Sequence, residues 1–383
     1  MTPQQPVRAA LVGVGAWGRV LASAAAISDK IDFICCVGRD PERLQVFSRE
    51  TGLPARAGLE SVLADPAIDA LVLAVPNELH YPFAELAARW GKHVYIEKPI
   101  ASTLVDGLKV TQLERAYGIR VVVGHCARFL AGNRLIREAI DAGALGKVSQ
   151  IEANFSNGRA LRLTPQDWRW YANRAPGGSL SQIAIHQFDT LRFLGGDIVS
   201  VNAVAARHSP VGAEVEDQWI VTVTFADEKL GVVISNWTTP GAHSVRVAGD
   251  KAVMFYEVDE TKWASPALLH RDATLHLQSQ GEGAGARQRI PLPEGNMFRD
   301  ELELFANCIR GDTGCELSAD NGCRALATVY AALASAADCG RTVEIEEIMA
   351  QARSRTDPAH AQAAAEHRTL GTRKTAAKDL HGV

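Results

Sequence analysis

Apolar positions in the first third of the chain cluster into five short runs: RAALVGV from Arg8, DFICCVG from Asp32, DALVLAV from Asp69, KHVYIEK from Lys92 and IRVVVG from Ile119. Helix-like stretches stand between most of them: Trp17 to Ala26, Pro41 to Thr51, Tyr81 to Trp90 and Leu104 to Tyr117. This alternation predicts an α/β domain with a parallel, doubly wound sheet. From Gly146 to about Arg289 the pattern changes. KVSQIEANF, SVNAVAARH, QWIVTVTFA, LGVVISNW, SVRVAG and AVMFYEV largely alternate apolar with polar residues, as antiparallel strands packed on one face do. GEGAGAR, near residue 284, reads as a loop, and residues 298 to 339 as alanine-rich helices packing back on the core. The expected division is one domain over 1–126, a second over 127–345, and a polar tail over 346–383, partly helical, disordered or an oligomer arm.

Composition narrows the class. A chain of 383 residues, 47% hydrophobic and 22% charged, can bury sizeable cores. A formal net charge of −4 argues against a general binder of nucleic acid or acidic membrane. No apolar run is long enough to cross a bilayer. MTPQQPVRAALVGVG enters a strand without a charged-then-apolar leader, so a cytoplasmic location is expected. Seven cysteines, an odd number with no C-x-x-C, read as small buried hydrophobes or surface thiols, and no metal site is expected.

Candidate chemistry starts at the first turn, Gly13-Val14-Gly15-Ala16-Trp17-Gly18, which matches G-x-G-x-x-G between a strand and a helix. Gly13 makes the tight turn. Gly15 lets the backbone approach a pyrophosphate, and Gly18 lets helix pack on strand. The helix then points its free N–H groups at the phosphates. About 20 residues on, where an acidic residue reads the ribose of NAD, the chain has Gly38-Arg39-Asp40-Pro41-Glu42-Arg43. Glycine leaves room, and Arg39 and Arg43 suit a 2′-phosphate, which favours NADP(H). NAD(H) stays open because Asp40 is near enough to shift the register, and both arginines also read as a solvated helix start. Two further stretches fall at strand ends, where this architecture binds ligands: Pro76-Asn77-Glu78-Leu79-His80, and Glu97-Lys98-Pro99. Lys98 reads either as a group that hydrogen-bonds substrate or carries a proton, or as a loop lysine paired with Glu97.

GGSLSQIAIHQFD, from Gly177 to Asp189, reads as one helix with Gln182, His186 and Asp189 on a shared face. That face is either a solvated or core arrangement, or a proton-handling site. Asn157 to Arg174 (NGRALRLTPQDWRWYANR) should border the pocket. Trp168, Trp170 and Tyr171 can stack on a sugar face or an aromatic ring. Arg159, Arg162, Arg169 and Arg174 can receive a carboxylate or phosphate, unless they are simply solvated. Arg128 is a further substrate candidate whose other reading is an interdomain salt bridge, and His125 reads as structural.

In this order, Gly-x-Gly-x-Trp-Gly, Pro-Asn-x-x-His, Glu-Lys-Pro and Gly-Gly…His-x-x-Asp resemble the glucose–fructose oxidoreductase / inositol dehydrogenase / rhizopine-catabolism (Gfo/Idh/MocA) family, over about residues 7 to 345. The resemblance implies a Rossmann domain followed by an α/β domain with a large, mostly antiparallel open sheet. It implies NAD or NADP, oxidation or reduction of a carbinol on a sugar, cyclitol or dihydrodiol, and dimers or tetramers formed through the open sheet. By the same resemblance Gly13, Gly15, Trp17, Gly18, Pro76, Asn77, His80, Glu97 and Lys98 bind the cofactor, joined by Ala16 of the glycine turn and by Arg39 and Arg43 from the reading above, and Lys98 and His186 are catalytic, with Gln182 as an expected third member. Arg128, Trp168, Arg169 and Asp189 are the expected substrate contacts. Where the family commonly has aspartate four residues before the histidine, this chain has Gln182. Gln182 can orient a hydroxyl but cannot stabilise an imidazolium by charge, which shifts weight onto Lys98. The expected activity is hydride transfer between nicotinamide and a secondary alcohol or ketone of a sugar, sugar acid or cyclitol. The alternatives are a dihydrodiol or aromatic-acid dehydrogenase, and a non-catalytic dinucleotide-sensing regulator.

Overall fold

In the computed structural model, which describes residues 5–280, 286–312 and 314–356, the N-terminal pattern folds as six strands. They are β1 (Val7–Val12), β2 (Ile31–Val37), β3 (Ala55–Arg56), β4 (Ala70–Leu73), β5 (His93–Glu97) and β6 (Val121–Gly124). All pair in parallel, in the order β3-β2-β1-β4-β5-β6. Residues 70–73 and 121–124 are buried at every position, because helices cover both faces of the sheet. The order reverses beside β1, so the carboxyl ends of β1 and β4 part and leave a crevice there.

The second sheet has nine strands: β7 (Val148–Ser156), β8 (Ile198–Ala206), β9 (Gln218–Phe225), β10 (Leu230–Asn236), β11 (Ala242–Gly249), β12 (Ala252–Val258), β13 (Thr274–Ser279), β14 (Gln288–Ile290) and β15 (Val343–Glu344). They lie in the order β14-β13-β12-β11-β7-β10-β9-β8-β15, antiparallel throughout except for β7 with β10. Strand β9 shows the alternation: Trp219, Val221, Val223 and Phe225 face inward while Ile220 faces out. The inner face is covered by helices Ile185–Gly195 and Ala319–Ala337. Strands β3, β13, β14 and β15 were not expected from the sequence. Three of these four have two or three residues, too few for a period-two signal.

The chain then returns to the first sheet. Helix Met297–Arg310 packs on helix Ala16–Ala25, and Val123 N–H donates to Leu317 O at 2.9 Å. Residues Ile345–Thr356, at the start of the expected polar tail, form a packed helix that buries Ile345, Ile348, Met349 and Ala352 at helical spacing. Residues 281–285 of the expected loop and 357–383 of the tail lie outside the described residues. Among the described residues no helix is long and apolar enough to cross a membrane.

Candidate active site

The glycine turn is shaped by close approach. A Cβ on Gly13, whose φ is +115°, would lie 2.2 Å from Ala74 O, and one on Gly18 would lie 2.2 Å from Gly13 O. A Cβ on Gly15 would meet nothing within 4 Å. The first and third glycines are therefore demanded by the protein itself, while the second opens on the space ahead of helix Ala16–Ala25, which it caps. That open cradle at a helix N-terminus fits a dinucleotide pyrophosphate. Trp17 turns the other way: its ring packs on Phe298, with centroids 5.8 Å apart, and lines the neighbouring cavity.

At the end of β2, Asp40 accepts from the N–H groups of Glu42 and Arg43 at 3.0 and 3.1 Å, so its carboxylate caps the following helix. A Cβ on Gly38 would sit 2.7 Å from Val14 Cγ2. Arg39 is exposed, with no partner among the described residues, and Arg43 lies 3.6 Å from Asp40.

Pro76 and Asn77 stand at the crevice rim, but His80 does not reach it. Its ring is fully buried, with Nδ1 2.7 Å from Pro99 O and Nε2 3.0 Å from Val75 O. His80 ties the two crevice loops together, which corrects the expected cofactor contact.

Lys98, in a cis peptide with Pro99, follows β5 into a cavity of about 930 Å³ shared with His186. Its Nζ donates to the backbone carbonyl of Gln182 at 2.8 Å. Burial drives the Lys98 ammonium down to about 8 against the opposing pull of Glu97, whose own carboxyl burial raises to about 7. Behind them Glu301 is fully buried beside Tyr95 and Glu97, and burial with the Glu97 charge holds its carboxyl well above the usual range. The sequence reading missed Glu301. Its signal was an acid inside the apolar stripe Met297, Phe298, Leu302, Phe305.

His186 stands in an aromatic box. Its ring centroid lies 5.9 Å from Phe155, 5.6 Å from Trp263 and 6.2 Å from His125. Burial, then the Lys98 charge, push its pKa well below the ordinary value, which favours the neutral imidazole, and Nδ1 has no hydrogen-bond partner among the described residues. The segment before it is not one regular helix: Leu180–Ala184 forms a π-helical turn before helix Ile185–Gly195. The wider turn breaks the expected alignment and presents the Gln182 carbonyl to Lys98. The Gln182 amide itself faces Ser181 and Arg169, whose Nε donates to Oε1 at 3.3 Å.

Two expected substrate contacts face each other instead. Arg128 donates from Nε and Nη2 to the Asp189 carboxylate at 2.6 and 2.7 Å, and from Nη1 to Glu316 O at 2.9 Å. Both side chains are buried and neither lines the cavity. Burial alone would raise Asp189, yet the guanidinium outweighs it and holds the carboxyl below its ordinary value. This is a structural ion pair, because each charge is fully used by the other. Trp168 and Arg169 also stand behind the cavity wall, the guanidinium 4.1 Å from the indole centroid.

Comparisons set this geometry in a class, the oxidoreductases with an NAD-binding Rossmann fold, whose family description matches residues 7–125. The description of the GFO/IDH/MocA C-terminal domain matches residues 133–255, and the chain belongs to the Gfo/Idh/MocA oxidoreductase family. It is 30% identical over 342 residues to the 1,5-anhydro-D-fructose reductase of Ensifer adhaerens, spanning 86% of this chain and 98% of that protein. It is 28% identical over 345 residues to the inositol 2-dehydrogenase of Rhizobium meliloti, spanning 87% and 97%. A crystal structure from Desulfitobacterium hafniense, described as a candidate NADPH-dependent oxidoreductase, superposes with a TM-score of 0.87 at 32% identity over 90% of this chain and 99% of that one. Levoglucosan dehydrogenase in complex with NADH and levoglucosan shares the fold, with a TM-score of 0.79 at 21% identity over 89% and 100%.

Proposed function

We propose that this enzyme interconverts a secondary alcohol and a ketone on a sugar or cyclitol, with Lys98 as the proton-exchanging group. The observation that carries the reading is that Lys98 and His186, from different domains, line one cavity beside the glycine cradle. A nicotinamide dinucleotide held at the Gly13–Gly18 cradle would supply the hydride acceptor for the carbinol carbon, or the hydride donor in reduction. The hydroxyl proton passes to the Lys98 amine as the C=O bond forms, and back again in reduction. A lysine with a pKa of about 8 exchanges a proton near neutral pH, whereas an imidazole held far below its ordinary value does not. Neutral His186 therefore hydrogen-bonds the reacting oxygen, and the Gln182 carbonyl fixes the ammonium. The reductase and dehydrogenase names of the relatives support carbohydrate or cyclitol substrates. Lys98→Met should lower kcat by ~10²–10⁴-fold while dinucleotide binding, followed by fluorescence, persists; unchanged turnover would falsify the assignment.

NADP(H) is the favoured cofactor. Arg39 is free for a 2′-phosphate, Asp40 is spent on its cap, and Val14 leaves little room for a carboxylate at position 38.

The protein self-associates through the open face of the second sheet. On that face Ile220 pairs across the ladder with Val204 on one side and Ile234 on the other, an exposed apolar row over three strands. Ile220→Lys should shift the sedimentation coefficient to that of a monomer, and an unshifted boundary rules this surface out.

A further inference from the structure

The cavity is lined by the rings of Phe155, Trp263 and Trp17 and by two arginines, Arg159 and Arg162. Among the described residues no carboxylate lies within ion-pair distance of Arg159, Arg162 or the adjoining Arg169. Arg169 meets only neutral groups, the Trp168 ring and the Gln182 amide oxygen. The two acids of the cavity, Asp167 and Glu260, act on these charges from a distance without forming an ion pair with any of them. Asp167 turns its carboxylate onto Thr164, accepting from N at 2.9 Å and from Oγ1 at 3.0 Å. Burial raises the Glu260 carboxyl above its ordinary pKa against the opposing pull of Asn157, Arg159 and Arg162, and it too stays outside ion-pair distance of both arginines. Nearby arginines outside the cavity are matched: Arg174 lies 3.1 Å from Glu78 and Arg192 lies 2.7 Å from Asp197. Guanidinium groups outside ion-pair contact, gathered at one cleft beside the Lys98 ammonium, leave a net positive potential there. Their forked donors suit an oxyanion.

We propose that the substrate is an acidic sugar: a polyhydroxylated ring or chain bearing a carboxylate or phosphate that Arg159 and Arg162 receive, with its carbinol against Lys98 and His186. This rests on the oxidoreductase reading of the same cavity and narrows its substrate class. Arg159 and Arg162 are specificity-determining residues, remote from the reacting carbon. The neutral Gln182 leaves the potential intact, and a carboxylate there would partner Arg169 and weaken it.

The test reads binding without turnover. Protein saturated with reduced dinucleotide forms only dead-end complexes with alcohols, so calorimetric titrations of D-glucuronate, D-glucose 6-phosphate, D-glucose and myo-inositol report affinity alone. At least one acidic probe should bind tenfold or more tighter than glucose, with affinity falling as salt rises; which of the two does so separates carboxylate from phosphate. Arg159→Gln and Arg162→Gln should each weaken that probe by about tenfold to a hundredfold, leaving glucose and dinucleotide affinities unchanged. Equal affinities for acidic and neutral probes, no binding by any probe, or arginine variants that weaken acid and glucose alike would each overturn the acidic-substrate proposal. The oxidoreductase reading is judged apart from this, by turnover in the Lys98→Met variant.

Discussion

Two groups of arginines lie between residues 128 and 169, and they differ in their company. Arg128 is buried against Asp189 in a two-bond fork and adds a third bond to a backbone carbonyl. Arg159, Arg162 and Arg169 have no carboxylate within ion-pair distance among the described residues and stand in or beside the cavity. In a sequence the two groups look alike, since each arginine is only a candidate anion receptor. A charge that the fold has already neutralised is structure; a charge it leaves open at a cleft is available to a ligand.

The comparison can be broken from several directions. The largest effect belongs to the open side, where Lys98→Met removes the proton-exchanging group but no ion pair. On the closed side, Asp189→Asn strands a buried guanidinium and should cost about 3–5 kcal/mol of stability by denaturant unfolding. Activity per folded molecule should be largely retained; an equally stable variant with lost activity would move Asp189 into the substrate site. Arg39→Ala removes an exposed, unpaired cation and should weaken NADP binding by about tenfold to a hundredfold, with NAD little affected. Equal losses for the two dinucleotides would argue against a 2′-phosphate contact.

The smallest effect is a displacement along the pH axis. Oxidation needs the neutral amine of Lys98, so its rate should rise with pH and level off above about 8, while reduction shows the opposite limb. Glu97 holds the Lys98 pKa up, so Glu97→Gln should move both limbs to lower pH. A limb that stays in place would assign the titration to another group.

The glycine loop was legible because two of its glycines answer to backbone contacts a few residues away or to the adjacent strand, and such demands leave a fixed spacing. Lys98 was legible as a cation at the end of an apolar strand. His186 lines the cavity, but the segment before it is not the regular helix that the spacing predicts. A π-helical turn inserts into an otherwise apolar run and leaves no periodic mark in so short a segment. His80, Asp189 and Arg128 carried the right chemical types for a site, but their partners lie far away in sequence: Pro99 is 19 residues from His80, and the ion pair spans 61. Trp263 and Phe155, which frame His186, come from separate parts of the second domain and share no motif.

By itself the sequence determined the two sheet types, the dinucleotide turn and the presence of an ionisable lysine and histidine. Each depends on local periodicity, on glycine geometry or on residue type, and these act over a few positions. Only the tertiary structure decided which charges are cancelled, which carbonyl holds Lys98, and how far burial moves its proton affinity. Those are set by desolvation and by neighbours brought together from distant segments, and no single stretch of chain contains them.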